Sequence, residues 1–160
     1  MKQPWTKAQM LLALLSLTLL AVMFAQLASR WSFLPARVPT HFGFDGTIDG
    51  WGPKETLLGL PMIAATVCLV FLLVLNIPPS KWNMPCKIRE ENAPRVYSFT
   101  RSMLLILMTE LTAFSALVQT FTLDAEPLPF GAVPTLGAVT LGTVAVLIFG
   151  IFRLNRPKPE

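Results

Sequence analysis

Four long apolar blocks leave this chain little freedom: Ala8–Ala28, Leu57–Ile77, Ser102–Phe121 and Val133–Phe152. Three contain no charged residue and the third contains only Glu110. At a rise of about 1.5 Å per residue, each is long enough as a helix to cross a hydrocarbon core of about 30 Å. In lipid the backbone must bond to itself, so each block has to coil. The pattern predicts an all-α fold, an integral membrane four-helix bundle in one membrane domain spanning 1–160. Only 14% of the residues are charged, against about 25% in soluble domains. Lys2 and Lys7 precede the first block, as in a signal peptide. The block exceeds an h-region, however, and Gln26 occupies the small-residue position before Ala28, so an uncleaved first helix is expected.

Lys and Arg set the orientation. The N-terminus, the loop 78–101 and the tail carry ten, and the loop 29–56 carries three. The connection between helices three and four carries none and holds Asp124 and Glu126. Both termini and loop 78–101 are expected in the cytoplasm, with loop 29–56 outside. The net charge of +4 follows from these flanking residues, so no nucleic-acid partner is implied. Cys68 lies in an apolar block and Cys86 in the inner loop, so two unpaired thiols are expected.

The outer loop is the informative segment. Pro35, Pro39 and Pro53 punctuate it with four glycines, and Asp45-Gly46 and Asp49-Gly50 read as turn dipeptides. Arg37–Phe42 reads as a short extended piece, and Pro53 reads as a first-turn proline of helix two. Trp31, Phe33, Phe42, Phe44 and Trp51 predict a loop that folds back on itself or lies along the headgroups. His41 is the only histidine in the chain. With Asp45 and Asp49 it is too small a set for a closed zinc site, and the Asp spacing does not fit the twelve-residue calcium loop. No Ser-His-Asp or Cys-His arrangement presents itself, and nothing calls for a cofactor.

The stretch Leu34–Lys54 (LPARVPTHFGFDGTIDGWGPK) resembles the signature of a bacterial membrane family, domain of unknown function 1648. The matching positions are Pro39, Thr40, His41, Phe42, Gly46, Asp49, Gly50 and Lys54; Gly43 stands where the family usually has Asn. Asn83–Leu104 is similar to the family's second segment at Asn83, Pro85, Lys87, Ile88, Glu90, Glu91, Asn92, Tyr97 and Arg101, with Arg89 in place of an expected Thr. The resemblance implies a multi-pass protein of the bacterial plasma membrane and carries no general activity. Some relatives are similar to SdpI-type proteins, which protect a cell from a secreted peptide toxin and relay its presence.

The inner segment from Arg89 to Thr100 reads as a helical lead-in to helix three, with Glu90 and Glu91 near its N-terminus and Pro94 in its first turn. Tyr97 and Arg101 share a face near the headgroups, where the segment either docks a partner or anchors to anionic lipid. Glu110 lies near mid-membrane, where a carboxylate is costly unless protonated or paired. Gln9, Ser16, Thr18, Thr140 and Thr143 are the available partners. Ala138 and Gly142 have the spacing of a close helix contact, within the bundle or in a homo-oligomer through helix four. The leading expectation is a small sensor, accessory or immunity-like protein whose outer loop contacts an extracellular peptide or membrane protein. The alternatives are a proton-linked small-solute carrier centred on Glu110 and a metal-assisted outer-face enzyme.

Overall fold

Thr6 opens the first helix by a reciprocal cap: its hydroxyl accepts from the Gln9 backbone, while the Gln9 side chain accepts from the Thr6 backbone. Helix α1 then runs Lys7–Arg30 and ends in a 3-10 turn, Trp31–Phe33. Strands β1 (Arg37–Phe42) and β2 (Ile48–Pro53) form an antiparallel hairpin. A 3-10 turn, Lys54–Leu58, leads into α2, Gly59–Asn76, and the long helix α3 follows over Ala93–Asp124. Helix α4 spans Ala132–Leu154. The computed structural model describes residues 4–157; Lys2 and Lys158, both part of the charge count, lie outside the described residues.

All four helices are long and apolar enough to cross a membrane. The chain is therefore a multi-pass, mostly helical membrane protein with one small two-stranded sheet. Where α2 ends, Pro78-Pro79 breaks the hydrogen-bond ladder and Ile77 turns to extended backbone.

Three local expectations need correction. Pro53 is the last residue of β2 and caps the 3-10 turn, so it does not open α2. Asp49-Gly50 lies within β2; the reversal occupies residues 43–47, where Gly43 N–H donates to the Thr47 carbonyl at 2.8 Å. The lead-in helix starts at Ala93 rather than Arg89, with Asn92 at the N-cap position and Glu90 and Glu91 in the turn just before it. The helix itself begins well before the apolar block at Ser102. Its polar first turns still bury Val96 and Thr100 against neighbours. Hydropathy marks where lipid begins, which is later than where the helix begins.

Helix α3 is the centre of the bundle and packs against α1, α2 and α4. Leu105 and Met108 of α3 form the main core with Ala13 of α1 and Cys68 and Leu75 of α2. The α1–α3 seam is pinned by polar contacts at three levels. Gln9 Nε2 donates to the Ser98 carbonyl at 3.1 Å and to Ser102 Oγ at 3.0 Å. Ser16 and Thr109 share a 2.9 Å hydroxyl bond, and Gln119 Nε2 donates to the Met23 carbonyl at 2.7 Å. Thr112 meets the free thiol of Cys68 at 3.4 Å. Helix α4 is held mainly by α3, with Ile151 its one fully buried side chain. Ala138 and Gly142 lie exposed, and a Cβ at Gly142 would meet nothing within 4 Å.

Gly150 is the exception on α4. A Cβ there would fall 2.3 Å from the Phe99 ring of α3, so only glycine admits this approach. Gly150→Val is expected to destabilise the α3–α4 contact by about 1–3 kcal/mol through overpacking, whereas Gly142→Ala should be neutral or better. Thermal unfolding of both variants in detergent checks the pair.

Candidate functional site

The hairpin is built from small residues set opposite functional ones. Register shifts flank His41, so that Pro39 pairs with Trp51, His41 with Gly50 and Phe42 with Ile48. These bulges set the Thr40 and His41 side chains across β2. A Cβ at Gly50 would come within 2.9 Å of His41 Cβ, and one at Gly52 within 2.8 Å of Thr40 Cγ2. Glycine at both places therefore makes room for Thr40 and His41. His41 then reaches Asp49, with Nδ1 2.5 Å from Oδ1, and both side chains remain largely exposed (71% and 50%). Among the described residues no third His, Cys, Asp or Glu joins them.

The remaining outer-loop residues hold this arrangement in place. Pro39 and Val38 are buried, Val38 against Leu27 and Leu57. Asp45 accepts from the Thr47 hydroxyl at 2.7 Å and its backbone N–H at 3.1 Å, closing the turn. Gly46 takes φ +92, and its carbonyl accepts from the Leu128 N–H at 2.9 Å, which ties the hairpin tip to the α3–α4 connection. Lys54 turns back to the end of α1, its Nζ 3.3 Å from the Trp31 carbonyl and 5.0 Å from the centre of the Trp31 ring. Arg30 and Asp124 form an exposed ion pair between α1 and α3.

Between the hairpin and the helices lies a cleft of about 250 Å³. Thr40, His41 and Phe42 line it on the hairpin side, Leu60 of α2 and Phe114 and Val118 of α3 on the other. The hairpin motif thus faces the bundle as well as open surface. Leu128, buried at the same cleft, carries no signal in the sequence beyond being one apolar residue between two prolines.

The inner motif is bound to the end of α4. From Asn83 to Asn92 it is non-helical and straps the end of α4. Asn155 accepts from the Arg89 N–H at 2.8 Å and donates to the Lys87 carbonyl at 2.9 Å, and buried Asn92 donates to the Arg156 carbonyl at 2.9 Å. Tyr97 meets Trp82 edge-on at 6.2 Å. Arg101 is buried, 4% exposed, with its guanidinium 5.8 Å from the Trp5 ring. Glu90 and Glu91 stay exposed. Asn155 gave no signal of its role, since a lone Asn beyond an apolar block is a common helix end.

Glu110 projects from α3 towards α4, where Thr143 donates to its Oε1 at 2.6 Å. Its Oε2 and the Thr140 hydroxyl are buried with no hydrogen-bond partner. The carboxyl group borders a shallow cleft of about 510 Å³ that reaches the α3–α4 connection at Phe130. The motif residues and Glu110 therefore form separate places: the hairpin cleft, the strap and this intramembrane pair.

Two outcomes test these assignments. Thr143→Val leaves Glu110 without its one hydrogen bond and is expected to cost about 1–3 kcal/mol, whereas Glu110→Gln keeps the acceptor and should cost less; chemical unfolding in detergent compares them. In the hairpin, the Thr47 hydroxyl and then the Thr47 N–H hold the Asp45 carboxyl below its ordinary value of 3.8. The turn's stabilisation is therefore complete at neutral pH and disappears as pH falls below 3.8 through the lowered value. The Thr47 amide shift of the reconstituted protein should move only in that acid range, and Asp45→Asn should abolish the titration.

The family described as Domain of unknown function (DUF1648) matches residues 18–65, from mid-α1 through the hairpin into α2. The inner strap lies outside that match. An uncharacterized protein of Archaeoglobus fulgidus is 34% identical over an alignment covering 62% of this chain and 61% of the relative. The similarity thus spans about three-fifths of that relative's length. No solved structure matches the chain. The segment carrying the hairpin matches the DUF1648 family model, and the chain around it is a multi-pass membrane protein.

Proposed function

We propose that this is a small sensor, accessory or immunity-like membrane protein whose hairpin end lies outside the cell and receives an extended segment of a peptide or partner protein. One observation carries this reading: a single short motif divides between support and presentation. Pro39, Gly46, Gly50 and Lys54 are committed to shaping the hairpin, while Thr40 and His41 stay exposed at the mouth of a cleft they also line. The cleft, about 250 Å³, is smaller than the roughly 300–1,000 Å³ usual for small-molecule sites. It suits one apolar side chain of a longer ligand. The imidazole–carboxylate pair at its rim offers polar contacts to that ligand's backbone. A two-stranded sheet also has an unpaired edge on each strand, to which an extended peptide can add. The excess of Lys and Arg at the opposite end supports the orientation.

A photo-crosslinking residue at Thr40 in the full-length protein, activated in intact cells, tests the reading. The expected product is one discrete polypeptide adduct, identified by mass spectrometry and reduced several-fold by His41→Ala at equal membrane abundance. Adducts to lipid alone would overturn it.

A further inference from the structure

At the end of the bundle that carries the termini, α2 and α4 stand apart over α3 and leave a groove of about 670 Å³ between them. Val74 and Ile77 of α2 form one wall, Leu147 and Ile148 of α4 the other, and Leu104 of α3 lies in the floor. The Thr100 hydroxyl in the floor is already spent on the Val96 carbonyl at 2.9 Å, so it asks nothing of an occupant. The volume falls within the roughly 300–1,000 Å³ range of ligand sites. Its walls belong to helices long and apolar enough to cross a membrane, so an apolar chain suits it.

The mouth of the groove is polar. The segment after α2 brings Lys81, Trp82 and Asn83 to its rim. Trp82 is fixed there, its indole N–H donating to the Val74 carbonyl at 3.2 Å and its ring packed on Tyr97. Lys81 is exposed and forms no ion pair with another described residue. An unpaired cation, an interfacial tryptophan and a side-chain amide thus stand at the headgroup end of an apolar slot. The geometry points to a binding site for one anionic phospholipid, with an acyl chain between α2 and α4 and its phosphate on Lys81, supported by the Asn83 amide. A zwitterionic lipid fits the slot equally but brings its own cation to the phosphate. The site needs this end of the bundle to meet a lipid surface on either side of the membrane, and it is independent of the hairpin reading.

Native mass spectrometry of the full-length protein in detergent tests the site with three probes: phosphatidylglycerol, phosphatidylcholine and inorganic phosphate. The expected result is one retained phosphatidylglycerol per chain, held more tightly than phosphatidylcholine and not displaced by inorganic phosphate. Lys81→Gln should weaken phosphatidylglycerol about fivefold and leave phosphatidylcholine unchanged. Lys87→Gln should change neither, and Leu147→Trp, which fills the slot, should reduce both. Equal retention of the two lipids, displacement by inorganic phosphate, an equal loss with Lys87→Gln, or a lipid-free dimer would overturn the assignment.

Discussion

A polar group inside a bilayer has no water to fall back on, and the placement of α3 answers that constraint. Its middle and upper turns carry Glu110 and Gln119 on opposite faces, and these side chains need partners from neighbouring helices, whereas the Thr109 and Thr112 hydroxyls also bond back to the Leu105 and Met108 carbonyls of α3 itself. Packing α1 and α2 on one side and α4 on another satisfies most of them. The apolar surface of α4, which asks for no such partners, can be left to the acyl chains. Sequence polarity thus decides which helix is central and which is peripheral.

The spans were legible because uncharged length is a blunt, local signal. The extended piece at Arg37–Phe42 was legible too, and the glycines promised a fold-back. The ends of elements were not, for identifiable reasons. The sequence reads as a helical lead-in to α3 from Arg89, but the helix starts at Ala93 because residues 89–92 are taken up by the turn that meets the end of α4. Asp49-Gly50 has the composition of a reversal, but its glycine is there to pass beneath His41. Arg101 looked like a headgroup contact from its position beside an apolar block, and only tertiary packing brings Trp5 over it. Glu110 could be read as needing a partner; that Thr143 would supply it required the α3–α4 register, which no local pattern encodes.

The same lesson applies to the motifs. A conspicuous Gly/Asp/Pro string invites a reading in which every residue touches a ligand. Here most of the string builds a platform, and few of its side chains remain available. The inner motif behaves alike: Lys87, Arg89 and Asn92 enter the strap over α4 largely through backbone groups and one amide, so their charges remain at the surface while their main chain is engaged.

The bond from Leu128 to Gly46 has a mechanical consequence. It links the outermost point of the hairpin to the connection just ahead of α4, the helix with the least buried surface in the bundle. Displacing the tip therefore pulls on the first turn of the most easily shifted element, while α1 and α2 stay clamped to α3. The hairpin and α4 are joined like a handle and its rod: one backbone hydrogen bond at the hairpin's end of the bundle, then the 23 residues of α4 to the opposite end.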